Sequence, residues 1–336
     1  RKRVLLICMG GLSIATGLMA AGIVLRSVAL LLFGRFLSGL MAGSQPIAQA
    51  AVSDLSPESQ RALNMSLLTL ALSVGIVLGP VMGGVLSERT IEPWFDFATP
   101  LWTAAALAAI SFVWILFGFR DTAPPSGQAL DWLRPLKVFT QAFTTPSVRL
   151  LAIVHLLFQL GFSIYYAMIS VLLIQQFHYA PAQIGLFTGV VGVGFVVALV
   201  GVMPFAAQRF SDKTLALLGL AINGTGVALS GMPVGQHALW ALALVLGIGD
   251  MVAYTALLTL FSKSVPPSKV GWAMGIAASV MAVAWVLTGF APNLLGTVAL
   301  GPMLIGAGVL VLLAGAVLMA APAAAVAKTA AVSPGA

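Results

Sequence analysis

Ten runs of predominantly apolar residues, joined mostly by short polar loops, leave this chain few ways to fold. They lie at residues 4–24, 28–52, 64–86, 100–119, 150–175, 184–207, 214–232, 238–261, 272–294 and 300–321. A bilayer's hydrocarbon core is about 30 Å thick, so a helix rising 1.5 Å per residue crosses it in roughly 20 residues. In lipid each backbone polar group must find its partner inside the segment, which makes every run a helix. The expected fold is all-α and polytopic. Composition agrees, because 60% of the 336 residues are hydrophobic and only 7% are charged. So few charges do not solvate a water-facing surface of this size, which excludes a soluble enzyme, a disordered chain and a nucleic-acid binder. The single cysteine, Cys8, leaves no disulfide framework and no cysteine-based metal site.

The net charge of +7 reads as a topology signal. Lys and Arg gather in the cytoplasmic loops of membrane proteins. With residues 1–3 placed in the cytoplasm, alternate loops hold Arg61, Arg120, Arg134, Lys137, Arg149, Arg209, Lys213, Lys263, Lys269 and Lys328 on that side. Only Arg26 and Arg89 fall opposite, and Arg35 lies within a span. Both ends of the chain are therefore expected in the cytoplasm, with the protein in the plasma membrane, a bacterial inner membrane.

A shift of 209 residues lays Ser53 and Pro57 on Ser262 and Pro266, Met65 on Met274, and Arg3 on Asp212. Matching span order suggests two parallel repeats, an internal symmetry common in transporters. The expected organisation is an N-terminal bundle at 1–119, a Pro-rich cytoplasmic linker at 120–149 with a short amphipathic helix near 131–143, a C-terminal bundle at 150–321, and a low-complexity tail at 322–336. Six spans in the second repeat against four in the first imply two further helices upstream, twelve in all. The apolar run after Arg1-Lys2-Arg3 is too long for a signal-peptide core.

The third span carries Gly75-x-x-x-Gly79-Pro80-x-x-Gly83-Gly84. Gly75, Gly79 and Gly83 recur every four residues and clear one helix face for close packing, while Pro80 removes a helical hydrogen bond. Arg35 with Gly39 four residues on, and the basic Arg1-Lys2-Arg3, add to the pattern. Together these resemble the major facilitator superfamily, specifically its drug–proton antiporter branch. The glycine-proline run is similar to that family's fifth-helix signature, and Gln208–Lys213 to a degenerate form of its signature loop. The resemblance implies a two-bundle fold of twelve helices, ten of them present, moving by alternating access. Gly185 and Gly189 in span 184–207 are the expected partners of the glycine-proline helix, at the interface where the bundles meet.

Polar residues inside spans mark the candidate site. Arg35, Ser38, Gln45 and Gln49 follow each other at helical spacing along 28–52 and read as cavity lining. His155, Gln159, Ser163, Tyr166 and Ser170 form a second stripe on 150–175; His155, close to the span's end, reads as a packing residue, whereas Gln159 and Tyr166 lie deep enough to touch substrate. Asp250 stands midway along 238–261, the costliest depth for a carboxylate. Its expected role is proton or substrate coupling, with a salt bridge to Arg35 as the alternative, and Tyr254 is one turn away. Trp285, with Met281 and Thr288, offers an apolar wall. His178 and His237 lack metal-ligand spacing, and no nucleophile–base set or phosphate loop occurs. The sequence thus predicts a secondary transporter, not an enzyme, with no cofactor and no metal. It would exchange small amphipathic compounds for protons, as a monomer whose only other partner is the lipid bilayer. A carrier of a sugar, amino acid or organic acid, and a non-transporting receptor or scaffold, are the alternatives.

Overall fold

The computed structural model describes residues 2–41, 44–57, 60–119, 121, 140–266, 269–296 and 298–320, and its elements are helical throughout. In chain order they are α1 (Lys2–Val24), α2 (Val28–Leu40), α3 (Ser44–Leu55), α4 (Arg61–Val85), α5 (Thr99–Gly118), α6 (Pro146–Phe177), α7 (Pro181–Val196), α8 (Met203–Arg209), α9 (Asp212–Ser230), α10 (Gln236–Lys263), α11 (Val270–Thr288) and α12 (Leu300–Ala320). Among the described residues, eight helical segments are long and apolar enough to cross a membrane, and Val28–Leu40 and Ala71–Val85 are shorter apolar helices. The expected helix near 131–143 lies outside the described residues up to 139, as do most of the linker, Arg1 and the tail from 321.

Two expected spans differ in form. The run 28–52 is not one helix: α2 ends at Leu40 and α3 starts at Ser44. Pro46 falls in the first turn of α3, where a proline's missing N–H leaves no helical bond unmade. The repeat makes the comparison direct. Shifting by 209 places α2 and α3 on α10, where Thr255 stands at the position of Pro46 and the helix runs unbroken for 28 residues. The run 184–207 also departs from a plain α-helix. Val197–Val202 between α7 and α8 is a π-helical segment, with Met203 N–H donating to the Ala198 carbonyl five residues back. Pro204 follows directly, so the wider turn re-satisfies backbone groups that a proline would orphan.

The helix ends have local causes. Ser27 caps α2 by accepting from Leu30 N–H, and Ser211 caps α9 by accepting from Thr214 N–H. Arg26 and His178 take the left-handed conformation, with φ of 51° and 53°, that turns the chain out of α1 and α6. Behind them the Ser27 and Tyr179 amides donate to the carbonyls of Gly22 and Leu173.

The chain divides into two compact units, one of residues 1–129 with 180–189, the other of 130–179 with 190–336. In the first, α1 packs against α2 and α5, and α3 against α4. Lys2 Nζ donates to the Leu116 carbonyl at 2.8 Å, tying the start of α1 to the end of α5. In the second, α9 packs on α10 and α12, and α6 on α11 and α12. Its core is formed by Phe158, Tyr165, Leu220, Leu246, Leu257 and Ile276, all essentially fully buried.

Candidate functional site

The site begins with how α10 is held. A Cβ added to Gly249 would fall 2.7 Å from Asn223 N on α9, and one added to Gly247 would fall 2.5 Å from the Val191 carbonyl of α7. Non-bonded heavy atoms in contact normally stand about 3.5 Å apart or more, so only glycine lets these backbones meet. Asn223 adds a hydrogen bond from Nδ2 to the Leu246 carbonyl at 3.1 Å. The residue after this clamp is Asp250.

Asp250 is 5% exposed, and its Oδ1 has no hydrogen-bond partner among the described residues. Unpaired buried carboxyl oxygens are rare, because the desolvation cost is not recovered. Tyr254 follows at i+4 on the same face. Its ring centroid is 6.0 Å from that of His155 on α6. His155 is fully buried, stands 5.8 Å from the Phe261 ring, and makes no hydrogen bond of standard geometry through either nitrogen among the described residues.

One turn further along α6, Gln159 Oε1 accepts a hydrogen bond from Trp285 Nε1 of α11 at 3.4 Å. The Trp285 ring lies 5.9 Å from Tyr166 and is 43% exposed, so the cluster has an open aromatic edge. Asp250, Tyr254, Gln159, Tyr166 and Trp285 thus sit in one unit, with the His155 ring against Tyr254. Ser163 of the α6 stripe is held in a packed contact. Ser163 and Thr288 are buried and share a 2.5 Å hydrogen bond, so Thr288 is a strut between α6 and α11 and not part of an apolar wall.

His155 stands further from the start of its helix than the apolar run suggests. The apolar run begins at residue 150, which puts His155 near its end. With α6 starting at Pro146, His155 lies nine residues in, about 13 Å along the axis. Its place on the stripe, four residues before Gln159, is the available signal.

The other unit holds the remaining expected residues, with two corrections. Arg35 is exposed on α2, and Ser38 donates to the Arg35 carbonyl at 2.9 Å. The side chains of Gln45 and Gln49 lie outside the described residues; with the helix interrupted before Ser44, the spacing from Ser38 no longer defines one face. In the glycine-proline run, Gly75, Gly79 and Gly83 do not make the close contact. A Cβ on any of them meets nothing within 4 Å among the described residues. Gly84 makes it instead: a Cβ there would lie 2.8 Å from Gly185 Cα, and one on Gly185 would lie 2.8 Å from Gly84 Cα, beside the Pro80 carbonyl. Gly189 packs on Val81. The reason is register, since Gly84, next to Pro80 by one turn, is the motif glycine whose face turns toward α7.

Comparison with known proteins places this geometry in a family. Residues 1–289 match the model described as Major Facilitator Superfamily. The chain is 24% identical over 282 residues to the tetracycline resistance protein, class C, of Escherichia coli, covering 83% of this chain and 69% of that protein. It is 24% identical over 280 residues to the quinolone resistance protein NorA of Staphylococcus aureus, covering 81% and 68%. Among solved structures, the human organic anion transporter MFSD10 (TETRAN) superposes with a TM-score of 0.68 at 21% identity, covering 95% of this chain and 77% of that one. A POT family transporter in complex with a thioalcohol-conjugated peptide gives 0.76 at 14% identity, covering 95% and 81%. At these identities the structures bear on the fold alone.

Proposed function

The chain belongs to the major facilitator superfamily and is a multi-span membrane transporter of small molecules, not an enzyme; from that premise we propose that it exports small amphipathic compounds from the cytoplasm in exchange for protons. The carrying observation is Asp250, a carboxyl in the middle of an apolar 28-residue helix with an unpartnered oxygen. An acid held there serves as a site that takes up a proton or pairs with a substrate cation as water access alternates. The open aromatic edge formed by Trp285 and Tyr166, with Gln159 behind it, suits a flat amphipathic ligand with few hydrogen-bonding groups. Drug resistance in the relatives' names supports the same class of substrate.

A sugar or amino-acid carrier needs many free hydroxyl and amide partners. The α6 stripe offers fewer than its sequence suggests, because Ser163 bonds to Thr288 and Gln159 to Trp285. Arg35 on α2, and the Gly84–Gly185 contact of α4 with α7, are assigned to cavity lining and to the moving seam. Transport of amphipathic cations driven by a pH gradient in sealed vesicles tests the reading. The parent should move protons when substrate is added and D250N should not, despite normal insertion. Proton flux unchanged in D250N removes Asp250 from the coupling step.

A further inference from the structure

We propose that the crevice where the end of α1 meets the start of α5 binds a membrane lipid with a primary ammonium headgroup, an ethanolamine phospholipid, through the Asp96 carboxylate and the Trp94 and Trp102 rings. The crevice has a volume of about 540 Å³, and Val24, Trp94, Asp96, Thr99, Trp102 and Thr103 line it. All six belong to the first compact unit, whereas Asp250 belongs to the second. Val24 is the last residue of α1 and Thr99 the first of α5. The crevice therefore stands at one end of two spans, the depth at which lipid headgroups and interfacial tryptophans lie.

Asp96 is held so that one carboxylate oxygen is left over. Its Oδ1 accepts from Thr99 Oγ1 and from the Ala98 and Thr99 amides, and its own N–H donates to Thr99 Oγ1 at 3.0 Å, which fixes the carboxylate in place. Oδ2 makes no hydrogen bond or ion pair among the described residues. Arg89 stands close enough to help keep the carboxyl charged, yet the two form no ion pair among the described residues. A free carboxylate oxygen with a guanidinium nearby matches both charges of a zwitterionic headgroup, the ammonium donating to Oδ2 and the phosphate facing Arg89. The loop from 86 to 98 carries Glu88, Glu92 and Asp96 against Arg89 alone, so its balance favours a headgroup that contains a cation. Indole faces add to this, since they attract ammonium groups. Trp94 is 68% exposed and is held edge-on against buried Phe95, with ring centroids 4.4 Å apart; Trp102 is 49% exposed.

The wall of the crevice continues along α5 as a track for an acyl chain. Trp102, Ala106, Ile110, Val113 and Phe117 follow each other at helical spacing, and all five are exposed. From Trp102 to Val113 the helix rises about 16 Å, close to half of a 30 Å hydrocarbon core and so to one leaflet. No charged side chain interrupts α5. A free amine would use the crevice without the track, and an anionic lipid the track without the carboxylate; a lipid with an ammonium headgroup uses both.

The test titrates the whole, delipidated protein with palmitoyl-oleoyl phosphatidylethanolamine, or with the phosphatidylglycerol of the same chains, and counts bound lipids by native mass spectrometry. The ethanolamine lipid should bind at its tightest site about tenfold or more tightly than the glycerol lipid, the range expected of a hydrogen bond to a charged group. D96N, whose amide oxygen can still accept the hydrogen bonds of the turn, should erase that preference. W94L, at an exposed position outside the helices, should weaken the ethanolamine lipid by about threefold and serves in place of D96N if that variant does not fold. Phosphoethanolamine, the same headgroup without chains, should not displace the lipid at equal concentration. Equal binding of the two lipids by the parent, or a preference that survives in both variants, overturns the site. Displacement by phosphoethanolamine, or by ethidium at equal concentration, makes the crevice a site for soluble ammonium compounds and overturns the lipid as its occupant.

Discussion

Gly84→Ala should disrupt the α4–α7 contact, although the same change at Gly79 or Gly83 should not. The added methyl at Gly84 would stand 2.8 Å from Gly185 Cα and 3.0 Å from Gly185 N, both backbone atoms that no rotamer change moves aside. Carbon atoms in contact prefer about 3.5–4.0 Å, so the helices must separate by close to an ångström or the contact must open. Overpacking of this kind costs about 1–3 kcal/mol. At Gly79 and Gly83 a Cβ meets nothing within 4 Å among the described residues, and replacing a mid-helix glycine by alanine gains about 0.5–1 kcal/mol. The two kinds of site thus differ in sign as well as size. Thermal unfolding of purified protein in detergent, followed by tryptophan fluorescence, reads the order: G84A below the parent, G79A and G83A at or above it. Substrate export in cells should fall for G84A alone. Equal stability of G84A and G79A would refute the assignment of the contact to Gly84, and with it the idea that one glycine of the motif, rather than its whole periodic face, meets α7.

Thr288→Val keeps the shape of the buried strut and removes its hydrogen bond to Ser163, which should cost about 1 kcal/mol; a double-mutant cycle with S163A should show the two losses overlapping. Asp96 closes the turn that leads into α5: its Oδ1 accepts from Thr99 Oγ1 and from the Ala98 and Thr99 amides at 2.9–3.0 Å, and these donors, led by the Thr99 hydroxyl and helped by Arg89, hold its carboxyl below the ordinary value. D96A should therefore cost about 1 kcal/mol at neutral pH, and the difference from the parent should shrink as pH falls below the usual carboxylate range through the lowered value in the folded protein. Melting temperatures at neutral and acid pH check both. The Lys263–Asp212 pair is partly exposed, with side chains 62% and 27% accessible, so K263Q should change stability by less than about 1 kcal/mol and the effect should fade with added salt.

The helical fold is legible in the sequence because lipid dictates it: long apolar runs and sparse charge leave no other backbone arrangement. What the pattern conceals are local choices of the backbone. A window of mean hydropathy passes smoothly across Pro46, which falls in the first turn of a new helix, and across Pro204, which is accommodated by a π-helical segment. The candidate site is half legible. Asp250, Tyr254, Gln159, Tyr166 and Trp285 stand out as polar or aromatic residues at depth, and the structure brings them together in one unit. Which glycine of a periodic run faces a neighbour is set by the rotation of the helix about its axis, and spacing alone does not carry that information. For His155 the apolar run begins four residues after the helix does, an offset of about one turn along α6.

Proton-coupled export through this chain stands or falls with Asp250 giving up a proton when substrate binds. Infrared difference spectroscopy of the reconstituted protein, with aspartate labelled by ¹³C, observes that event at the group itself. Adding substrate should remove an isotope-shifted protonated-carboxyl band and create a carboxylate band in the parent, and neither change should occur in D250N. An identical difference spectrum in D250N, or substrate binding with no loss of the protonated band, would contradict coupling at this carboxyl.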